Sequence, residues 1–275
     1  MITASLVLYN TSIEDVKNVI NSVNNSMIEK LYVIDHSTTD QLSEHVKNAT
    51  KAVYFHRENK GYGAGHNFAI EKSINEDKAK YHIVLNPDIH FTSKTIESLE
   101  KYMDNNSEVG LIMPNVFYPN GEQQFLCKLL PTPFDILFRR ILPKWLTRKR
   151  DDKFTLKKSG YNKIMNIPYL SGCFMFFRIK ALEVVGLFDE RYFMYFEDLD
   201  ISRRMHEIYK TIFYPFVEII HTHAAGHRKS LKLLKISLVS AIKYYDKWGW
   251  ICDKNRNETN KQILIEIDED KWRHD

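Results

Sequence analysis

Ile2-Thr-Ala-Ser-Leu-Val-Leu-Tyr-Asn-Thr-Ser-Ile-Glu-Asp-Val-Lys-Asn-Val-Ile-Asn-Ser-Val23 decides the fold. Its first seven residues are an apolar run the length of one buried strand. Ser12 then offers a helix cap with Asp15 three positions on, and Ile13, Val16, Val19, Ile20 and Val23 recur at helical spacing. A strand feeding an amphipathic helix is the repeating unit of an α/β sheet. The alternation continues outward. Strands are expected at 31–34, ending on Asp35, at 52–55, leading into Arg57-Glu-Asn-Lys-Gly61, and at 83–85. The last stops at Asn86-Pro-Asp88, where proline cannot donate to a ladder. A mostly parallel central sheet flanked by helices is therefore predicted.

Residues 117–166 interrupt this order with a hairpin turn at Tyr118-Pro-Asn-Gly121 and a basic, aromatic stretch without strand character. An apolar strand over 169–177 resumes it, followed by a polar turn at Asp189-Glu-Arg191 and a helix containing Glu197-Asp-Leu-Asp200. A strand near 212–214, a long basic helix over 231–248 and a polar, acidic tail complete the chain.

Composition narrows the function classes. With 275 residues and 44% hydrophobic residues, disorder and collagen are excluded. Lys and Arg number 39 against 35 Asp and Glu, and the resulting +4 is too small to argue for nucleic acid. Cys127, Cys173 and Cys252 make no C-x-x-C pair, so neither a thiolate zinc site nor a disulfide framework is expected, and a reducing compartment fits. Met1 to Tyr9 lacks the basic start of a signal peptide, and no run reaches the roughly 18 apolar residues of a spanning helix. A cytoplasmic protein is expected.

Ligands of an open parallel sheet bind beyond the carboxyl ends of its strands. Tyr9, Asn10, Asp35 and Asp88 stand at such ends. Each alone serves equally well as a turn or cap residue; three strand ends together point to a site. Gly61-Tyr-Gly-Ala-Gly65 is no dinucleotide fingerprint, because position 66 is His and the run follows the third strand. It reads as a flexible loop into a helix starting near His66-Asn67, with amides open to a sugar or phosphate, or as an ordinary loop. Glu197 and Asp200 share a helix face, and Tyr195 and Phe196 before them would exclude water and raise a carboxyl pKa toward that of a general base. The helix dipole alone would also favour acidic residues there. His221, His223 and His227 suggest a cation or phosphate without composing a zinc site.

In their order, Ser5-Leu-Val-Leu-Tyr-Asn10, Val33-Ile-Asp-His-Ser-Thr-Thr-Asp40, Asn59-Lys-Gly-Tyr-Gly-Ala-Gly-His-Asn67, Leu85-Asn-Pro-Asp88, Ser171-Gly-Cys173, Gly186-Leu-Phe-Asp-Glu-Arg191, Phe193-Met-Tyr-Phe-Glu-Asp-Leu-Asp200 and Ile220-His221 carry a resemblance. Over residues 1–228 the chain resembles the family 2 inverting glycosyltransferases of GT-A fold, and in particular the bacterial rhamnosyltransferase-like members that build O-antigen and other surface polysaccharides. The resemblance implies that Tyr9 and Asn10 line the base pocket and that Asp35 accepts from a uracil or thymine imide. Asn59, Gly61 and Asn67 would hold the ribose and pyrophosphate. Asp88 would bind Mg²⁺ or Mn²⁺ at the diphosphate, with Asn86 in place of the family's first Asp and His221 as an additional metal or diphosphate contact. Asp198 would be the base, with Glu197 and Asp200 positioning donor or acceptor. His36 stands where the family usually has Asn.

The implied reaction moves a sugar, L-rhamnose from dTDP-L-rhamnose, to an undecaprenyl-diphosphate-linked glycan; a UDP-hexose donor, or a non-catalytic nucleotide- or glycan-binding protein of the same fold, is the alternative. Residues 128–158 hold ten Lys and Arg against three Asp, interleaved with Phe134, Ile136, Leu137, Phe138, Ile141, Leu142, Trp145 and Leu146. Residues 228–250 repeat the theme with Lys229, Lys232, Lys235, Lys243 and Lys247. Both suit an anionic membrane surface on the inner face of the plasma membrane, or packing on the domain or on another subunit in a homodimer. The expected organisation is a catalytic domain over 1–228, divided at 1–116, 117–166 and 167–228, and a C-terminal helical extension over 229–275.

Overall fold

The computed structural model describes residues 1–136, 144–222 and 231–272. His223, His227, Arg228 and Lys229, with residues 137–143 of the basic stretch, lie outside the described residues.

The opening stretch folds as its pattern dictates. β1 (Ile2–Leu8) is buried throughout, and α1 (Ile13–Asn24) begins at Ser12, whose side chain accepts from the Asp15 N–H. Val16, Val19, Ile20 and Val23 face the core. β2 (Lys30–Asp35), α2 (Ser43–Lys47), β3 (Ala52–His56), α3 (Tyr62–Asn75) and β4 (Tyr81–Leu85) follow, then β5 (Ile89–His90), α4 (Ser93–Asn105) and β6 (Val109–Phe117). After the hairpin turn, in which Gly121 N–H donates to Tyr118 O, come α5 (Lys144–Phe154), β7 (Met165–Asn166), β8 (Phe174–Arg178), α6 (Ile179–Val185), α7 (Glu197–His206), β9 (Lys210–His221), α8 (Leu231–Trp248) and α9 (Lys254–Trp272).

One sheet runs in the order β3-β2-β1-β4-β8-β6-β9-β5, with β7 on β9. The β3-β2-β1-β4 half is parallel, as expected. Beyond it the sheet is mixed: β8 lies antiparallel between β4 and β6, and β9 pairs parallel with β6. Side chains alternate across it. Ile83, Leu85, Phe174 and Phe176 join the core packed with α1 and α4, whereas Val84, Met175 and Phe177 join the core that includes Ile70, Leu182, Ile201 and Ile263. Burial on both faces explains the continuous apolar runs of the strands.

Two expectations are corrected. Strand β8 begins at Phe174, not at 169, because residues 169–173 bend to meet β4 and α7: Asn86 N–H donates to Cys173 O and Gly172 N–H to Asp198 Oδ2. The glycine run is not a flexible loop. α3 starts at Tyr62, and the glycines serve close packing: a Cβ at Gly63 would press on Phe188 and one at Gly65 on Val7 and His36.

A third cluster joins Ala241, Tyr244 and Tyr245 of α8 to Leu130, Tyr192, Phe196 and Leu199, and α9 adds Ile263 and Ile267 to the second core. Among the described residues no helix is long and apolar enough to cross a membrane.

Candidate active site

The parallel half of the sheet delivers the strand-end residues side by side. Leu8 pairs with Asp35, and Leu6 with Leu85, so Tyr9 and Asn10, Asp35, and Asn86 with Asp88 leave adjacent strands in the same direction. Tyr9 is half exposed (52%), which leaves its ring open to a stacking partner. Asn10 takes a left-handed φ of 49° and donates its N–H to Ser37 Oγ at 2.8 Å. Asp35 is buried; its carboxylate accepts from Tyr54 Oη at 2.7 Å and from the Ser37 N–H at 2.9 Å. A carboxylate has about four lone-pair sites, so an imide N–H is a further bond that Asp35 has the capacity to accept.

The start of α3 is the hub. Gly61 adopts φ +109°, where a Cβ would collide with the Phe193 carbonyl, and the Tyr62 N–H donates to that same oxygen at 2.9 Å. Asn59 Oδ1 accepts from the Gly61 N–H at 3.1 Å. The Tyr62 hydroxyl lies 2.9 Å from both Asn86 Oδ1 and Gly172 O. Burial, followed by the charges of Glu197, Cys173, Asp198 and Asp88, pushes this phenol well above its ordinary pKa. Its neighbours identify the convergence: β4's end, the 171–173 bend and α7's first turn meet here.

Two bulky residues in the left-handed region, Tyr195 at φ 69° and Phe196 at φ 70°, turn the chain into α7. Each costs on the order of 1–3 kcal/mol, and such costs cluster at functional sites. The turn presents Asp198, half buried, whose Oδ2 accepts from the Gly172 N–H at 3.0 Å; a Cβ at Gly172 would crowd the Asp198 Cβ. Glu197 is buried and its Oε2 has no hydrogen-bond partner among the described residues. Burial, reinforced by the adjacent Asp198 charge, drives its carboxyl well above the ordinary glutamate range. The Cys173 thiol is pushed up to about 12 by burial and is no nucleophile.

Pairing of β5 with β9 places Ile89 opposite His221, and Thr222 N–H donates to Asp88 O, which brings the His221 ring beside Asp88. His221 Nε2 lies 3.3 Å from Asp88 Oδ1, and its Nδ1 bonds Gln124 Oε1 at 2.9 Å. Gln124 returns a bond from Nε2 to the His221 carbonyl at 2.7 Å. A carboxylate oxygen and an imidazole nitrogen side by side are a donor pair that suits a divalent cation, Mn²⁺ better than Mg²⁺. Among the described residues no group of three His, Cys, Asp or Glu side chains forms a cage, so solvent or a ligand would complete the shell.

Two expected ligand residues are engaged elsewhere. Asn67 is buried and clamps Phe188, donating Nδ2 to its carbonyl and accepting its N–H, each at 2.9 Å, and it also donates to Glu190. Asp200, expected to position acceptor or donor, is fully buried and holds Arg204 at 2.8 Å, Lys247 at 2.7 Å and Trp248 Nε1 at 2.8 Å. Its i, i+3 spacing from Glu197 is real, but the neighbour it meets is the C-terminal extension. Conversely, Tyr62 and Gln124 emerge only from the structure. Tyr62 had a signal, an aromatic residue between two glycines of tight approach; Gln124, one polar residue in an irregular stretch, had none.

The family model described as glycosyl transferase family 2 matches residues 5–186. The low-salt glycan biosynthesis hexosyltransferase Agl10 of Haloferax volcanii is 25% identical over 203 residues, 73% of this chain and 60% of its own. An N-acetylglucosaminyl-diphospho-decaprenol L-rhamnosyltransferase of Mycobacterium tuberculosis is 26% identical over 166 residues, 54% of this chain and 52% of its own. The chain thus spans about half to three-fifths of the length of these curated relatives. Among solved structures, GalNAc-T7 with UDP, GalNAc and Mn²⁺ superposes with a TM-score of 0.63 at 15% identity, over 90% of this chain and 49% of that one. Staphylococcus aureus TarS 1-349 in complex with UDP-GlcNAc does so at 0.61 and 15%, over 97% and 71%. At these identities the shared property is the GT-A fold.

Proposed function

The chain belongs to glycosyl transferase family 2, and from that premise we propose that it is an inverting transferase that moves L-rhamnose from dTDP-L-rhamnose to a polyprenyl-diphosphate-linked glycan, such as an undecaprenyl-linked one, at the cytoplasmic face of a bacterial plasma membrane, in O-antigen or other surface-polysaccharide synthesis. The observation that carries the reading is the Tyr62 hydroxyl, which meets both Asn86 at the carboxyl end of β4 and the carbonyl of Gly172, the residue whose N–H holds Asp198 Oδ2. The rhamnosyltransferase relative, named for a decaprenol-linked acceptor, supports the donor and acceptor class. A UDP-hexose donor is the second reading, favoured by the hexosyltransferase relative and by the UDP-sugar in the TarS neighbour.

In this reading Tyr9, Asn10 and Asp35 receive the base, Asn59 and Gly61 border the ribose and pyrophosphate, and Asn86 faces the donor sugar. The Asp198 carboxylate takes the acceptor hydroxyl proton while that oxygen bonds to the anomeric carbon, and the carbon–oxygen bond to the diphosphate breaks on the opposite face. A divalent cation, Mn²⁺ or Mg²⁺, when bound, neutralises charge on the diphosphate, and Asp88 and His221 are the residues that would hold it. Burial and the Asp198 charge favour the neutral form of Glu197, which leaves Asp198 as the carboxylate offered to the acceptor.

Transfer from dTDP-L-rhamnose and UDP-hexoses to a lipid-linked acceptor tests the reading. Asp198→Asn is expected to lower turnover by about 10²–10⁴-fold with nucleotide affinity kept. Undiminished transfer would refute the assignment of the base, and nucleotide binding without any transfer would favour the non-catalytic alternative.

A further inference from the structure

Helix α8 is apolar beyond the face it buries. Its inner face packs Ala241, Tyr244 and Tyr245 against Leu130, Tyr192, Phe196 and Leu199 and adds polar ties: Ser240 Oγ donates to Met194 O at 2.9 Å, Lys243 Nζ to Arg191 O at 2.6 Å, and Lys247 reaches Asp189 at 3.0 Å and Asp200 at 2.7 Å. Its outer face is apolar. Leu231, Leu234, Leu238, Val239 and Ile242 are exposed, Leu231 at 83% and Ile242 at 48%. The spacings 231, 234, 238 and 242 lay these side chains in one stripe along the helix. Lys232 and Lys235 are exposed on and beside the stripe, and no acidic residue occurs between 231 and 245.

A helix face turned to water is normally polar. An apolar stripe with lysines and no carboxylate is complementary to one surface in particular, an anionic bilayer: leucines enter the acyl boundary while lysine stems lie along it and their ammonium groups meet phosphates. We propose that α8 is the element that seats the protein on anionic lipid. The same helix holds the carbonyls of Arg191 and Met194 and the carboxylate of Asp200 from its other face, so the seated helix fixes the height of the Glu197–Asp198 turn above the membrane. The purpose of this seating rests on the lipid-linked acceptor proposed above; the geometry of α8 does not.

Flotation of the full chain with vesicles of phosphatidylcholine, with and without phosphatidylglycerol, tests it. The wild type is expected to float with the anionic vesicles only, less so at high salt. Leu234→Gln with Leu238→Gln, and separately Lys232→Glu with Lys235→Glu, are expected to weaken partitioning on the order of tenfold or more. Thermal shift with dTDP or UDP should be the same in every variant, which verifies that they fold. Variants that float like the wild type overturn the assignment to α8 and leave the lipid-linked acceptor standing. A wild type that binds nucleotide but ignores anionic vesicles overturns docking and leaves the transferase standing. A dimer that the leucine substitutions break apart overturns it in favour of a second copy over the stripe.

Discussion

Glu197 is the residue whose chemistry is most altered by its surroundings. In the unfolded chain its carboxyl ionises in the ordinary glutamate range; in the fold, burial beside Asp198 keeps it protonated to much higher pH. The sign follows from proton binding. Between the two pKa values the native state binds the extra proton, so stability is fully present below the ordinary glutamate range and is lost as pH rises toward the folded value. Glu197→Gln removes the titration while keeping the shape. Its stability in urea should match the wild type near about pH 4 and exceed it increasingly toward about pH 8. A difference that does not change with pH would show that Glu197 titrates normally in the fold. At the same scale, Asp198 stands in a first helical turn and Asp88 just past a strand end, as the spacing expects, because such positions are visible as patterns. Spacing could not tell that Asp200, two residues on, meets Lys247 and Trp248 from 47 and 48 positions away.

Among the elements, α7 carries the site on its first turn and its anchors on the next. Arg203 makes a two-pronged pair with Asp253, Nη1 to Oδ2 at 2.7 Å and Nη2 to Oδ1 at 2.8 Å, and both side chains are buried. Its guanidinium also stacks 3.9 Å from the Trp248 ring centroid and reaches the Tyr244 hydroxyl at 3.1 Å. Removing one partner leaves an uncompensated buried charge. Asp253→Ala should cost about 3–5 kcal/mol in urea unfolding, and replacing both partners by apolar residues should recover much of it. A cost below about 1 kcal/mol would mean that water reaches Arg203. The strands β1 to β4 and helix α1 were legible because period and capping are local. The start of α3 was not: glycines signal a loop by propensity, and only the approach of Phe188 to Gly63 and of Val7 and His36 to Gly65 explains why these two lie in a helix.

For the whole molecule, we propose residues 1–228 as the catalytic domain and 229–275 as an extension that completes it. The extension covers Tyr192, Phe196 and Leu199, neutralises Asp200 and Arg203, and exchanges two 2.9 Å bonds between Asn260 and the Leu130 backbone. A chain ending at 228 should therefore be recovered insoluble or without a cooperative thermal transition; a soluble, cooperatively melting fragment would mean that the domain is complete without it. The formal charge of +4 concealed this organisation, since cations gather on α5 and α8 while carboxylates line the strand ends and α7. Pattern reading reached the mixed half of the sheet least, because β8 enters antiparallel through contacts more than 60 residues apart in sequence, such as Leu85 with Phe174.

Gln124 grips His221 at both ring and backbone, from a strand-side position just past the hairpin turn at 118–121. A ring bonded through Nδ1 to a side chain that also bonds its own backbone has less freedom left to lose, so part of that cost is met during folding and not on ligand arrival. The hairpin is then no neutral surface loop. Insertions there, usually the most tolerated of changes, would loosen the nitrogen that confronts Asp88, and the tolerance of this turn becomes a measure of how much the site depends on being rigid in advance.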